Sequence, residues 1–278
     1  MQTIQAALMG TAQGISEFLP ISSSAHIVFT STIYKILTGA SFHNVGSEEI
    51  FFDILIHLSS LVAVIIFFFK DLKKLITGTF NSIKNKDYTT AEFKLTKYVI
   101  IATLVTCIMG FFTKDIAHSL TEKPLYVSIL LIITGFVLFL SEKLKKLGTE
   151  LNSKTSIFIG IAQGFAIFPG LSRSGLTIAT GIFNGLDRIT AARFSFILSI
   201  PVILIASLIY PLLELDMTQI QHFNYKAMIT GCVLSFITGY LCIKFFMKFL
   251  EKFSLKYFAY YCWIIGIIMV FVSLFAAK

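Results

Sequence analysis

The chain has 278 residues, 56% of them apolar, 14% aromatic and 14% charged, with a formal net charge of +8. Together with a mean hydropathy of +0.82, this excludes an ordinary soluble domain and makes a bilayer the expected solvent. The basic residues are almost all lysines between apolar runs, so the positive charge reports orientation in a membrane and not nucleic-acid binding.

The first segment, Gln2–Leu37, is apolar but interrupted by Gly, Pro, Ser and charged residues near its centre. Met1–Gly10 carries no Lys or Arg, unlike the start of a secretory signal, and is read as part of the mature fold. Three continuous apolar runs follow, approximately Phe52–Phe69, Tyr98–Phe112 and Leu125–Leu140, each read as a full span. Next comes a second interrupted segment, Thr155–Leu186, and then Phe194–Leu213, Ala227–Phe246 and Tyr257–Phe275. The expectation is an all-α polytopic membrane protein with six transmembrane helices. Cys107, Cys232, Cys242 and Cys262 lie inside apolar runs without metal-ligand spacing, as packing residues do.

Lysine counts orient these runs. The loop Lys70–Lys97 holds seven lysines, and Glu142–Lys154 and Lys244–Lys256 hold four each, whereas the alternate connections around Thr38–Ile50, Lys114–Pro124 and Glu214–Tyr225 hold none, two and none. The first set is expected in the cytoplasm. Thr155–Leu186 must then enter and leave from the cytoplasmic side as a re-entrant hairpin, and Gln2–Leu37, if it is also a hairpin, from the outside.

The two interrupted segments align without a gap at an offset of 150 residues: Gly10, Ala12, Gln13, Gly14, Ser22 and Ser24 recur as Gly160, Ala162, Gln163, Gly164, Ser172 and Ser174. Each copy precedes three spans, an odd number, so the copies must point in opposite directions. This predicts one membrane domain, residues 1–278, built as an inverted repeat of about 1–150 and 151–278, with the broken helices meeting near the midplane and presenting half-helix N-termini to an anion. The competing reading is that matched Gly and Ser simply allow close helix packing.

Chemistry concentrates at the breaks. Gln13 and Glu17 share a helical face, Pro20 stops the helix, and Ser22, Ser23 and Ser24 open the next, with His26 just beyond. Hydroxyls and free N–H groups there form an anion site. The second copy breaks at Pro169–Gly170 and continues with Ser172, Arg173, Ser174 and Thr177. An arginine at such depth needs a cavity or an anionic partner, and its planar fork suits a phosphate. Glu17 is a candidate general base, although it could be a structural cap or form an internal salt bridge with Arg173. His26 and His57 have both structural and functional readings, His43 and His222 read as solvated, and Arg188 and Arg193 mark a cytoplasmic span end, with Arg193 able to reach a lipid phosphate. Tyr257, Tyr260, Tyr261 and Trp263 read as interface anchors.

The stretches QGISEFLPISSSAH and PGLSRSGLT, together with FFDILIHLSSLVAVIIFFFKDL and ARFSFILSIPV in the same order, resemble the bacterial undecaprenyl-diphosphate phosphatase family associated with bacitracin resistance, over the full chain. The resemblance implies that Glu17 is a catalytic carboxylate, Ser23 the nucleophile, His26 a helper in proton transfer and Arg173 the diphosphate clamp. Ser22, Ser24, Ser172, Ser174 and Thr177 would complete a phosphate cradle. The family's first acidic position is often Glu; here it is Gln13, which can hydrogen-bond substrate but cannot act as a base, and this weakens a two-carboxylate metal model.

The implied reaction removes the terminal phosphate of a polyprenyl diphosphate lipid in the bacterial plasma (inner) membrane, at a site open to the outer side, and so recycles the carrier for envelope polymers. No dedicated metal site is expected, and any Mg2+ or Ca2+ arrives with the diphosphate. The rival is a secondary transporter or flippase for a phosphorylated polyprenyl lipid, which would need Arg173 and helix dipoles but no nucleophile with a base.

Overall fold

A computed structural model describes residues 3–38, 47–120, 123–144, 148–214 and 223–276. The predicted connections through residues 39–46 and 215–222, with His43 and His222, and lysines 145 and 146 lie outside them. The described chain is all helical: α1 Thr3–Phe18, α2 Ser23–Thr38, α3 Ser47–Phe67, α4 Phe69–Lys84, α5 Ala91–His118, α6 Pro124–Lys143, α7 Ser153–Phe165, α8 Arg173–Phe183, α9 Arg188–Glu214, α10 Tyr225–Lys252 and α11 Lys256–Ala276.

Six of these, α3, α5, α6, α9, α10 and α11, are long and apolar enough to cross a membrane. They coincide with the six predicted spans, and α5, α6 and α10 run on into lysine-bearing ends, because a long lysine stem lets the ammonium reach water while the helix continues. The loop expected over Lys70–Lys97 is corrected: it contains α4 and the start of α5. Phe69, Ile76, Phe80 and Ile83 recur at helical spacing on an exposed stripe of α4, and Lys70, Lys73, Lys74 and Lys84 accompany them. That is the pattern of a helix lying in a membrane interface. Charge count drew attention to the lysines and away from the apolar period.

Both interrupted segments are broken helices. α1 packs chiefly on α10, and α7 packs chiefly on α5. Each first half-helix therefore lies against the second span that follows the other break. Gly10 and Gly160, equivalent at the 150-residue offset, sit at these crossings. A Cβ on Gly10 would overlap the backbone of Gly231, and one on Gly160 would meet the Ala102 carbonyl oxygen at 2.7 Å. For the glycines, close packing is thus the observed role.

Beneath the first break, edge-on and tilted rings of Phe18, Phe68, Phe196 and Phe246 form a continuous buried stack with centroids 5.6–6.1 Å apart, a spacing at which aromatic pairs attract. At the lysine-rich end, Glu142 of α6 takes both Nε and Nη2 of Arg188 at 2.6 Å and the N–H of Leu255 at 3.1 Å. This bidentate pair ties α6, α9 and the start of α11 together and holds the frame in which the breaks face each other.

Candidate active site

Residues 19–22 separate α1 from α2, and residues 166–172 separate α7 from α8. Each second half-helix is capped by the serine at the same repeat position. The Ser22 hydroxyl accepts from Ala25 N at 3.3 Å, and the Ser172 hydroxyl accepts from Gly175 N at 3.1 Å. Each capping serine also lies beside the serine two residues on, Ser22 with Ser24 at 3.1 Å and Ser172 with Ser174 at 3.2 Å. The first turn of a helix leaves N–H groups without intrahelical partners. With Ala25 and Gly175 capped, the N–H groups of Ser23, Ser24, Arg173 and Ser174 remain for an anion.

The breaks also grip one another. Ser24 Oγ accepts from Gly170 N at 3.3 Å, while Ser174 Oγ donates to the Leu19 carbonyl at 3.0 Å. Gly170 has φ of +103° and its Cα lies against the Val127 carbonyl, a place where only glycine fits without strain. In the first break the left-handed residue is Ser22, at φ of +68°. A non-glycine residue there costs roughly 1–2 kcal/mol, and such strain clusters at functional sites.

Glu17 lies at the centre, its side chain 6% exposed. Its Oε1 accepts from Arg173 Nη2 at 2.6 Å. Its Oε2 accepts from the Ser23 hydroxyl at 2.7 Å and from Gln13 Nε2 at 2.9 Å. One carboxylate therefore joins the two half-helix starts, 156 residues apart at Arg173. Two polar atoms here are buried and unpartnered, Gln13 Oε1 and Arg173 Nη1. A buried guanidinium nitrogen without an acceptor is costly, and the geometry leaves it ready for a further oxygen.

The remaining predicted residues sit differently from expectation. Both ring nitrogens of His26 have partners other than Ser23 and Glu17: Nδ1 lies 2.8 Å from the Ser22 carbonyl and Nε2 2.7 Å from the Tyr261 hydroxyl, on which the ring stacks. A carbonyl only accepts, so Nδ1 carries the hydrogen and the neutral ring's Nε2 accepts from Tyr261. Both nitrogens are thus engaged in holding the Ser22 turn, and Tyr261, expected as an interface anchor, is their partner. Ser172, Ser174 and Thr177 are buried and their hydroxyls are committed within the protein, that of Thr177 to the Arg173 carbonyl at 2.8 Å and to Ser195 at 2.6 Å. These hydroxyls are bonded within the second break, across to Leu19 of the first and onto Ser195 of α9. Arg193 of α9 is exposed and lines the cleft it shares with α4 and α5.

His57 of α3 is the residue that sequence reasoning underweighted. Its Nε2 lies 3.9 Å from Glu17 Oε2, and its Nδ1 donates to the Asp53 carbonyl at 2.8 Å. The available signal was an Asp and a His one helical turn apart inside a spanning run, where ionisable residues are functional by default.

Among the described residues, no three or more His, Cys, Asp or Glu side chains gather as a metal site. Glu17 and Gln13 Oε1 offer oxygens, but the guanidinium 2.6 Å from Glu17 occupies the place where a second cation would sit. This donor set does not fit a resident metal.

The family model described as "Bacitracin resistance protein BacA" matches residues 6–268. The chain belongs to this family. It is 40% identical to a protein of Methanobrevibacter smithii named undecaprenyl-diphosphatase, over 97% of both chains. A protein of the same name from Methanosphaera stadtmanae is 38% identical over 98% of this chain and 99% of its own, and undecaprenyl-diphosphatase 2 of Halalkalibacterium halodurans is 37% identical over 98% and 96%. In this BacA-family chain, the matched region contains both breaks and every residue of the Glu17 cluster.

Proposed function

We propose that the Glu17 cluster is the hydrolytic centre of an undecaprenyl-diphosphate phosphatase, which converts the lipid diphosphate to undecaprenyl phosphate and inorganic phosphate. This recycles the carrier for peptidoglycan and other envelope polymers and confers bacitracin resistance. The observation that carries the site assignment is the shared carboxylate: Glu17 accepts the Ser23 hydroxyl and the Arg173 guanidinium at once.

The terminal phosphate enters between the starts of α2 and α8, where the N–H groups of Ser23, Ser24, Arg173 and Ser174 and the two helix dipoles favour negative charge. Arg173 Nη1, already free, takes a phosphate oxygen. As the guanidinium turns from Glu17 to the phosphate, the carboxylate is freed to accept the Ser23 proton. The Ser23 oxygen then attacks in line, and Arg173 and the N–H groups stabilise the charge of the transition state. Water subsequently cleaves the phosphoserine. Direct attack by water, with Glu17 as its base, uses the same geometry. His26 acts through Ser22, keeping the strained turn in place. Any divalent cation arrives with the diphosphate, and no step is routed through it.

Further elements complete this reading. The two broken helices are re-entrant hairpins of an inverted repeat within a single membrane domain; the exchanged packing of α1 on α10 and α7 on α5 supports it. The lysine-rich ends face the cytoplasm of a bacterial plasma membrane, and the site opens to the outer side. A flippase is not favoured, because transport needs no hydroxyl hydrogen-bonded to a carboxylate. The test is phosphate release from C55 polyprenyl diphosphate by the pure protein in detergent, with and without Mg2+ or Ca2+. Release is expected, and tight lipid binding without release under every condition would overturn the reading.

A further inference from the structure

Each turnover adds water across a phosphoanhydride. The new P–O bond carries the water oxygen, the bridging P–O bond breaks with its electron pair leaving on the lipid phosphate, and one proton accumulates on Glu17. That proton must leave before the next cycle. Glu17 is almost wholly buried, and its other neighbours offer no way out: Arg173 and Gln13 only donate to it, and Ser23 is the group it must deprotonate.

His57 is the exception. The Asp53 carbonyl holds its Nδ1 hydrogen at 2.8 Å, so the neutral ring turns a bare Nε2 lone pair toward Glu17 Oε2 at 3.9 Å. Lone pair facing carboxylate is unfavourable unless a proton lies between them, and a shift of about 1 Å brings the pair within hydrogen-bond reach. On the far side of the ring, Asp53 Oδ1 lies 3.8 Å from Nδ1, and the Asp53 side chain is 45% exposed. Asp53, His57 and Glu17 thus form a row of titratable groups leading from water to the base. Among the described residues the charged groups acting on His57 are Asp53 from its own helix, Glu17 from α1 and Arg173 from α8, with none from α4, α9 or α10.

We propose that His57 and Asp53 are the proton outlet of the site. His57 Nε2 takes the proton from Glu17, Nδ1 gives its own hydrogen to the Asp53 carboxylate, and Asp53 releases it to water. His57 is thereby a positioning and relay residue that does not touch the phosphate. The inference rests on the hydrolase reading above.

The test uses the full chain in detergent, with phosphate release measured against pH and substrate concentration for wild type, His57→Ala, His57→Gln and Asp53→Asn, each checked by thermal melting. His57→Ala should lower kcat about 100-fold with KM little changed, and imidazole added to the buffer should restore part of it, increasingly so for more basic substituted imidazoles. His57→Gln keeps a polar side chain but carries no proton, so its kcat should also fall. The rising limb of the wild-type pH profile, where His57 becomes able to accept, should disappear. Asp53→Asn should give a smaller loss. His57→Gln with wild-type kcat and pH profile, or a folded His57→Ala deaf to imidazole, would overturn the relay alone. Absence of release by the wild type would sink the hydrolase reading and the relay with it.

Discussion

At the first break the helix ends on Glu17–Phe18 and restarts at Ser23, and at the second the positions equivalent to Glu17 and Ser23 are Ile167 and Arg173. The supports are the same in both: a serine cap on the third N–H, a serine pair, and the second serine of that pair bonded across to the opposite break. The cargo differs. One break holds a carboxylate and a hydroxyl, the other a fixed cation. Glu17 is buried, whereas Ile167 is 44% exposed. Even the left-handed residue is placed differently, Ser22 in the first and Gly170 in the second. The two breaks match where they present N–H groups and differ where they present charged and hydroxyl side chains, so that neither half alone carries the Glu17 cluster.

The largest expected effect comes from removing the cation. Arg173→Ala should lower phosphate release by about 10³-fold or more and depress the melting temperature, since Glu17 is left buried without its partner, at a cost of about 3–5 kcal/mol. Arg173→Lys should recover only part of the activity, because lysine lacks the fork. Adding Glu17→Gln to Arg173→Ala should restore melting but not turnover. Next, Ser23→Ala should remove nearly all turnover, about 10³-fold, while bound polyprenyl diphosphate stays close to wild type. An equal loss of binding would move Ser23 from nucleophile to cradle.

Smaller effects probe the supports. Gly170→Ala should destabilise by about 1–2 kcal/mol from φ alone, and further because the Val127 carbonyl must move. Ser22→Gly should raise the melting temperature slightly, because relief of about 1–2 kcal/mol of strain exceeds a cap loss of about a few tenths of a kcal/mol, while turnover falls as the Ser23 hydroxyl loses its fixed direction. Smallest of all, Ile167→Gln should change stability by no more than about 0.5 kcal/mol and leave phosphate release near wild type, in contrast to Glu17→Gln.

The six spans, the two breaks and the Glu17–Ser23–Arg173 set were legible in the sequence because a charged or Pro-interrupted position stands out in an apolar run. What stayed hidden depends on which way a helix face turns once packed. His26 reads as a neighbour of Ser23, three residues away, yet its second nitrogen is claimed by Tyr261, 235 residues further on. His57 reads as one more polar residue in a span until α3 is set against α1. Ser172, Ser174 and Thr177 have the composition of a phosphate cradle, and only the packed contacts, within the second break, across to the first and onto α9, reveal that their hydroxyls are already occupied. α4 is hidden for a local reason, as its four lysines mask the apolar period that runs beside them.

The ion pair between Glu17 and Arg173 also bears on biosynthesis. The two partners lie 156 residues apart, so at about 5–20 residues per second the ribosome delivers the guanidinium roughly 10–30 s after the carboxylate. During that interval the first half of the protein presents an acidic group to the membrane interior without its counter-ion. The second half carries an arginine that is equally unmatched by itself. Each half is thus marked as unfinished by a charge that the other cancels, and the two halves expressed as separate chains should accumulate together and be degraded apart.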